Sequence, residues 1–281
     1  MSCRLSSAST DQHRFGFSRS RAPFCYCLKM TNFKPDSALV HSVIPSPNHD
    51  ARTAPIDILL LHYTGMRSGE AASERLRDAD AKVSSHYLAH EDGRIDQLVP
   101  EARRAWHAGV SSWKGETDIN SRAIGIEIVN PGHEFGYRDF PEAQIEAVIA
   151  LCRDILARHT IPPDRVLGHS DIAPGRKQDP GERFPWARLA AAGIGLWIEP
   201  APISEGNTLV PTQRGEDITM LQTMLVKFGY AAELTGVYDD KTRDIVMALQ
   251  RHFRPARVDG IADRSTIETL RGLLTASSAL A

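Results

Sequence analysis

Two stretches, IDILLLHY at 56–63 and SRAIGIEIVN at 121–130, crowd apolar residues into short runs that end in polar ones. Runs of this length and kind are what a buried strand presents, and they set the frame for everything around them. Helical periodicity lies between and after them. GEAASERLRDADA (69–81) reads as a helix. PEAQIEAVIALCRDILARHT (141–160) puts Pro141 at a first helical position and Ile145, Val148, Ile149, Cys152, Ile155 and Leu156 on one face. SSHYLAHEDGRIDQLVP (84–100) alternates around Asp92-Gly93, a hairpin signal, and VLGHSD (166–171) ends a further short strand. Gly125, inside the second apolar run, marks a place where another group approaches closely. Strands interleaved with helices predict an α/β domain over residues 46–198.

A proline-containing linker over 199–212 precedes a segment with an internal echo. GVYDDKT (236–242) and GIADRST (260–266) both read G-x-x-D-x-x-T, and an apolar helical pattern follows each. Asp239 and Asp263 are placed to turn the chain and cap those helices, which predicts a small helical bundle over 213–276.

Composition narrows the function classes. With 42% hydrophobic and 24% charged residues the chain can bury a core, and a formal charge of −2 excludes a basic nucleic-acid binder. Four cysteines (Cys3, Cys25, Cys27 and Cys152) are too few and too clustered for a disulfide framework, and the Cys25–Cys27 pair lacks the second pair of a metal site. No stretch approaches the roughly 20 apolar residues that span a bilayer. Residues 1–45 read as an N-terminal extension, disordered in part. The first 29 are rich in Ser and Arg and carry no apolar centre of a secretory signal; an organelle transit segment fits that composition, but the simpler reading takes Met30 as the start of the protein. The compartment stays open between cytoplasm and cell envelope, as does the oligomeric state.

The chemistry concentrates at strand ends and in one loop, GHSDIAPGRKQDPG (168–181), whose prolines and glycines exclude most regular structure. His62 ends the first apolar run and His169 ends VLGH. Asp179 follows ten residues later in a loop able to fold back. Two imidazoles and a carboxylate suit Zn²⁺ with one coordination position left open. Among 11 histidines, two at strand ends also arise by chance, so spacing alone carries modest weight. Glu127 is the sharper signal: a glutamate among Ile124, Ile126, Ile128 and Val129 either faces solvent or serves as a general base, and parity does not choose between them. Lys177 reads as an oxyanion-stabilising cation or a solvated loop charge, and Asp171, Arg176 and Glu182 as turn, cap or solvated residues.

LLLHYTG, SSHYLAHEDGRIDQLVP, AWHAG, IGIEIVNPG and GHSDIAPGRKQDPG occur here in the order seen in zinc-dependent N-acetylmuramoyl-L-alanine amidases of the amidase-2 group, which residues 56–190 resemble. The resemblance implies a mixed β-sheet flanked by helices and zinc on His62, His169 and Asp179. It further implies Glu127 as catalytic glutamate and Lys177 as the transition-state lysine. The reaction implied is cleavage of the amide between N-acetylmuramic acid and L-alanine in peptidoglycan or its muropeptide fragments. Asp179 stands where phage and animal members often have cysteine, as in the bacterial branch of the family. His86, Trp106 and His107 are groove candidates that serve equally as packing residues. Residues 215–270 resemble a three-helix peptidoglycan-binding domain, with Leu249 where an aromatic is usual. The rival reading, a wall-recognition protein without activity, would show a lost ligand, and none of the matching positions is lost.

Overall fold

In the computed structural model, which describes residues 33–206 and 208–280, the two apolar runs become neighbouring parallel strands. The expectations for Cys3, Cys25, Cys27 and Met30 fall outside the described residues. Eight strands form among the described residues: β1 (Ser42–Val43), β2 (His49–Ala51), β3 (Ile58–Tyr63), β4 (Tyr87–Ala89), β5 (Ile95–Gln97), β6 (Arg103–Ala105), β7 (Ala123–Ile128) and β8 (Val166–Gly168). Six of them make one sheet in the order β1-β5-β4-β7-β3-β8, while β2 and β6 pair separately. The β4, β7, β3 and β8 neighbours are parallel and β4–β5 is the antiparallel hairpin, so the sheet is mixed.

The helices among the described residues are α1 (Gly69–Arg77), α2 (Ile119–Arg122), α3 (Gly132–Phe135), α4 (Glu142–Arg158), α5 (His169–Ile172), α6 (Trp186–Ala191), α7 (Glu216–Phe228), α8 (Asp240–Phe253) and α9 (Arg264–Ser278). No helix is long and apolar enough to cross a membrane among the described residues. The first is shorter than its pattern predicts. Asp78 leaves the helix and its carboxylate accepts from the Asp80 amide, starting a separate turn at 79–81. Pro141 sits one position earlier than expected, at the N-cap of α4.

Alternation along β3 and β7 sorts side chains into two layers. Leu59, Leu61, Ile124, Ile126 and Ile128 pack against α4 through Ile145, Val148, Ile149, Cys152 and Ile155. On the opposite face Ile58, Leu60, Ala123, Leu167 and Ile172 share one apolar cluster with Ile218, Leu225, Phe228, Tyr230, Ile245 and Leu249 of the tail. The helical tail thus closes one face of the six-stranded sheet. The Pro-rich connection is docked on α9 and the loop before it: the Ala201 amide donates to Thr269, and Leu209 and Ala262 exchange backbone hydrogen bonds.

The repeated loops have a repeated mechanism. Asp239 and Asp263 accept from the amides of Thr242 and Thr266 as N-caps. Buried Gln222 reaches Gly236 and Val237, and buried Gln250 reaches Asp259, Gly260 and Ile261 in the next loop. Asp263→Ala is expected to cost about 1 kcal/mol of stability, measured as a lower denaturant midpoint at unchanged slope.

Candidate metal centre

Register decides which way the chemistry points. His62 and Glu127 are partners across the parallel β3–β7 pair, so both side chains leave the same face of the sheet. Leu60 pairs with Leu167 across β3–β8, and two residues on, His169 opens α5 on that face. Three neighbouring parallel strands therefore deliver His62, Glu127 and His169 at their C-terminal ends, where ligands of open α/β sheets are bound. A Cβ at Gly168 would lie 2.8 Å from the Pro180 ring, so glycine there lets the loop return against the strand. The Ser170 amide donates to the Asp179 carbonyl at 2.9 Å and fixes that return.

Asp179 Oδ2 ends 3.0 Å from His62 Nδ1 and 3.0 Å from His169 Nδ1, and the two Nδ1 atoms are 3.0 Å apart. All three residues are buried and their donor atoms lie within 4.8 Å of one another, the spacing of a metal site. The remaining nitrogens explain why. His169 Nε2 donates to the Ala108 carbonyl at 3.0 Å, and a carbonyl only accepts, so in the neutral ring Nδ1 carries a lone pair. His62 Nε2 is 3.1 Å from His107 Nδ1, and donation in that direction leaves His62 Nδ1 with a lone pair too. Such atoms repel unless a proton or a cation lies between them; in the metal-free protein a shared proton serves, and for a metal the donor set fits Zn²⁺.

Burial, with His169 close by, lowers the pKa of His62 to about 4, which keeps the ring neutral and able to ligate. Burial works to raise the Asp179 carboxyl, but His169 and His62 outweigh it and hold the group well below the ordinary range. Glu127 goes the other way. Desolvation and the charge of Asp179 push it well above an ordinary glutamate, against a smaller opposing effect of Lys177, and its buried Oε2 has no hydrogen-bond partner. Metal-free protein is expected to lose stability as the pH falls from about 6.5 towards 4. His62, His86 and His107 all have lowered pKa values, so the unfolded chain takes up protons that the folded one refuses. His62 alone accounts for about 3 kcal/mol across that window. Thermal melts at pH 7.5 and 4.5 check this; equal melting temperatures would contradict it.

A cleft of about 600 Å³ opens over these groups, lined among others by Glu127, His169, Lys177, Asp179, Trp106 and His107. His86 lies elsewhere. It is fully buried, accepts from the Gly125 amide through Nδ1, and faces Arg52 and the Arg103 carbonyl through Nε2. His107 occupies the space that Gly125 leaves: a Cβ there would come 2.7 Å from its ring. Gly125→Ala is therefore expected to displace His107 from His62 and weaken metal binding about tenfold or more, read by chelator competition.

Sequence reasoning missed several neighbours. Tyr63 and His133 also line the cleft and are 2.9 Å apart, from Tyr63 Oη to His133 Nδ1, with Glu182 beyond His133. Their signal was positional, since Tyr63 ends β3 and His133 follows β7 at this same sheet edge. Arg176 stays exposed but anchored, and Asp171 takes the capping role through the Gly168 amide while lying away from solvent. Arg176 donates to the Ala108 and Val110 carbonyls, and Asp171 is completely buried.

Comparison with known proteins finds relatives for both parts of the chain. A family model described as N-acetylmuramoyl-L-alanine amidase matches residues 52–182, and one described as a putative peptidoglycan binding domain matches 214–270. The N-acetylmuramoyl-L-alanine amidase AmiD of Escherichia coli (strain K12) is 38% identical over 231 residues, 78% of this chain and 82% of the relative. The 1,6-anhydro-N-acetylmuramyl-L-alanine amidase AmpD of Enterobacter cloacae is 34% identical over 169 residues, 53% of this chain and 87% of its own length. Among solved structures, E. coli AmiD complexed with the substrate anhydro-N-acetylmuramic acid-L-Ala-D-gamma-Glu-L-Lys aligns with a TM-score of 0.68 at 35% identity, covering 83% of this chain and 94% of that one. AmpDh3 of Pseudomonas aeruginosa gives 0.65 at 32%, covering 79% and 92%.

Proposed function

This chain belongs to the N-acetylmuramoyl-L-alanine amidase family, and from that premise we propose that it cleaves the amide between N-acetylmuramic acid and L-alanine with Zn²⁺ on His62, His169 and Asp179. The observation that carries the reading is the delivery of His62, Glu127 and His169 from three adjacent strands, with Asp179 returned between the imidazoles. When bound there, the metal would act as a Lewis acid at the scissile carbonyl and acidify a water beside it.

The chain's own groups do the rest. Glu127, raised in basicity by burial, takes a proton from the attacking water as the carbonyl carbon becomes tetrahedral. When the C–N bond breaks, the same carboxyl returns that proton to the departing alanine nitrogen. Lys177, lining the same cleft, offsets the negative charge that develops on the carbonyl oxygen. Trp106 and His107 border the space that receives the sugar or peptide. Residues 46–198 form the catalytic unit in this reading, and 213–276, reached through 199–212, the part that holds peptidoglycan.

Incubation with soluble anhydro-muropeptide and with intact sacculi, with and without chelator, tests the proposal by mass spectrometry of released L-Ala-peptide. Release that stops with chelator and resumes with Zn²⁺ supports it. Binding of sacculi without release, identical for wild type and Glu127→Ala, favours a recognition protein instead.

A further inference from the structure

α5 is a single turn of helix, too short to hold its own shape, yet it begins with the ligand His169. Its third residue, Asp171, is fully buried and accepts three hydrogen bonds. One is local, from the Gly168 amide to Oδ2 at 2.8 Å. The other two come from the tail: Tyr230 Oη donates to Oδ1 at 2.8 Å, and His252 Nδ1 lies 2.7 Å from Oδ2. Both donors are 2% exposed. Each is itself held by the catalytic half. The Trp113 ring stands edge-on to Tyr230 at 5.0 Å, and Trp186 stacks on His252 at 3.7 Å. A wall-binding module tethered by a linker has no need of buried polar contacts two residues from a metal ligand.

We infer that Tyr230 and His252 are positioning residues for the metal centre, which hold His169 in place by gripping Asp171 across the face where the tail meets the sheet. The inference rests on the metal reading of His62, His169 and Asp179. The tail then has a task in the catalytic site that is separate from contact with polymer. Without its two donors the Asp171 carboxylate keeps one hydrogen bond in a dry interior, and the turn that carries His169 loses its anchor.

The test uses the full chain with Tyr230→Phe, which removes only the hydroxyl, and His252→Phe, which keeps an aromatic face for Trp186 and removes Nδ1. The two are also combined. Zn²⁺ affinity is measured by chelator competition, folding by cooperative thermal melting, turnover on soluble anhydro-muropeptide, and polymer binding by pelleting with sacculi. The expected result is a loss of about 10- to 100-fold in Zn²⁺ affinity in the double variant. At saturating Zn²⁺, kcat should fall while KM and sacculus pelleting stay as in wild type. His252→Asn, which retains a donor, should recover part of the affinity. Should the double variant not fold, Tyr230→Phe carries the test, with a several-fold loss expected. Zn²⁺ affinity within twofold of wild type in folded variants overturns the inference, as does a loss confined to sacculus pelleting. A wild type that takes up no Zn²⁺ overturns the metal reading and this inference with it.

Discussion

Glu127→Gln is expected to lower muropeptide turnover roughly a thousandfold, within the range typical of losing a general acid–base, and to raise the melting temperature of the metal-free protein at pH 7. The two effects have one cause. Glutamine keeps the shape of the side chain but cannot accept the proton of the attacking water. It also cannot ionise, and ionisation is what this position resists. The folded-state pKa of Glu127 lies above the unfolded value because of burial and the nearby Asp179 charge. Its contribution to stability is therefore complete below the unfolded pKa of about 4.3 and is lost as pH rises through the folded value. At pH 7 the glutamate weakens the fold and the amide does not; at pH 4 the difference should vanish. Calorimetry at both pH values, alongside the activity assay, checks this. A variant that keeps a tenth of wild-type turnover would remove Glu127 from the reaction, and a variant less stable than wild type at pH 7 would contradict the electrostatics.

Asp179→Ala is expected to have the opposite effect on metal-free stability and to abolish stabilisation by Zn²⁺. His169 and His62 hold this carboxyl below its unfolded pKa despite burial. Its contribution is present above the unfolded value and is lost as pH falls through the folded one, so alanine weakens the metal-free fold at pH 7. In wild type, Zn²⁺ at about a thousand times its Kd contributes about 4 kcal/mol, a rise in melting temperature on the order of 10 °C. The variant, with two imidazoles left, should show little or none at the same concentration. An equal rise in both proteins would mean that Asp179 is not a ligand. Two carboxylates in one cleft thus respond to removal with opposite signs, because the proton held by the imidazoles favours ionisation of one and a like charge opposes ionisation of the other.

Much of this was legible before any tertiary contact was known. The apolar runs at 56–63 and 121–130 became β3 and β7, the pattern at 141–160 became α4, and the doubled G-x-x-D-x-x-T loops became capped helices. Those are local properties, set by residue type, periodicity and turn chemistry within a dozen positions. Order and identity of the blocks also carried the family. The reach of one helix was misjudged at Asp78, where a side-chain hydrogen bond competed with the helical backbone.

The sequence by itself determined the principal strands and helices, the donor types, and the strand ends on which His62 and His169 stand. Only the tertiary structure decided which way Glu127 faces, because its parity acquires meaning from the pairing with His62, 65 positions away in the chain. It also buried Asp171, which the sequence left as a turn, cap or solvated residue, through donors 59 and 81 positions distant, one just after α7 and one on α8, in a segment that reads as a separate module. A linear pattern records what a residue offers, whereas burial and partners come from the surface that the rest of the chain lays against it.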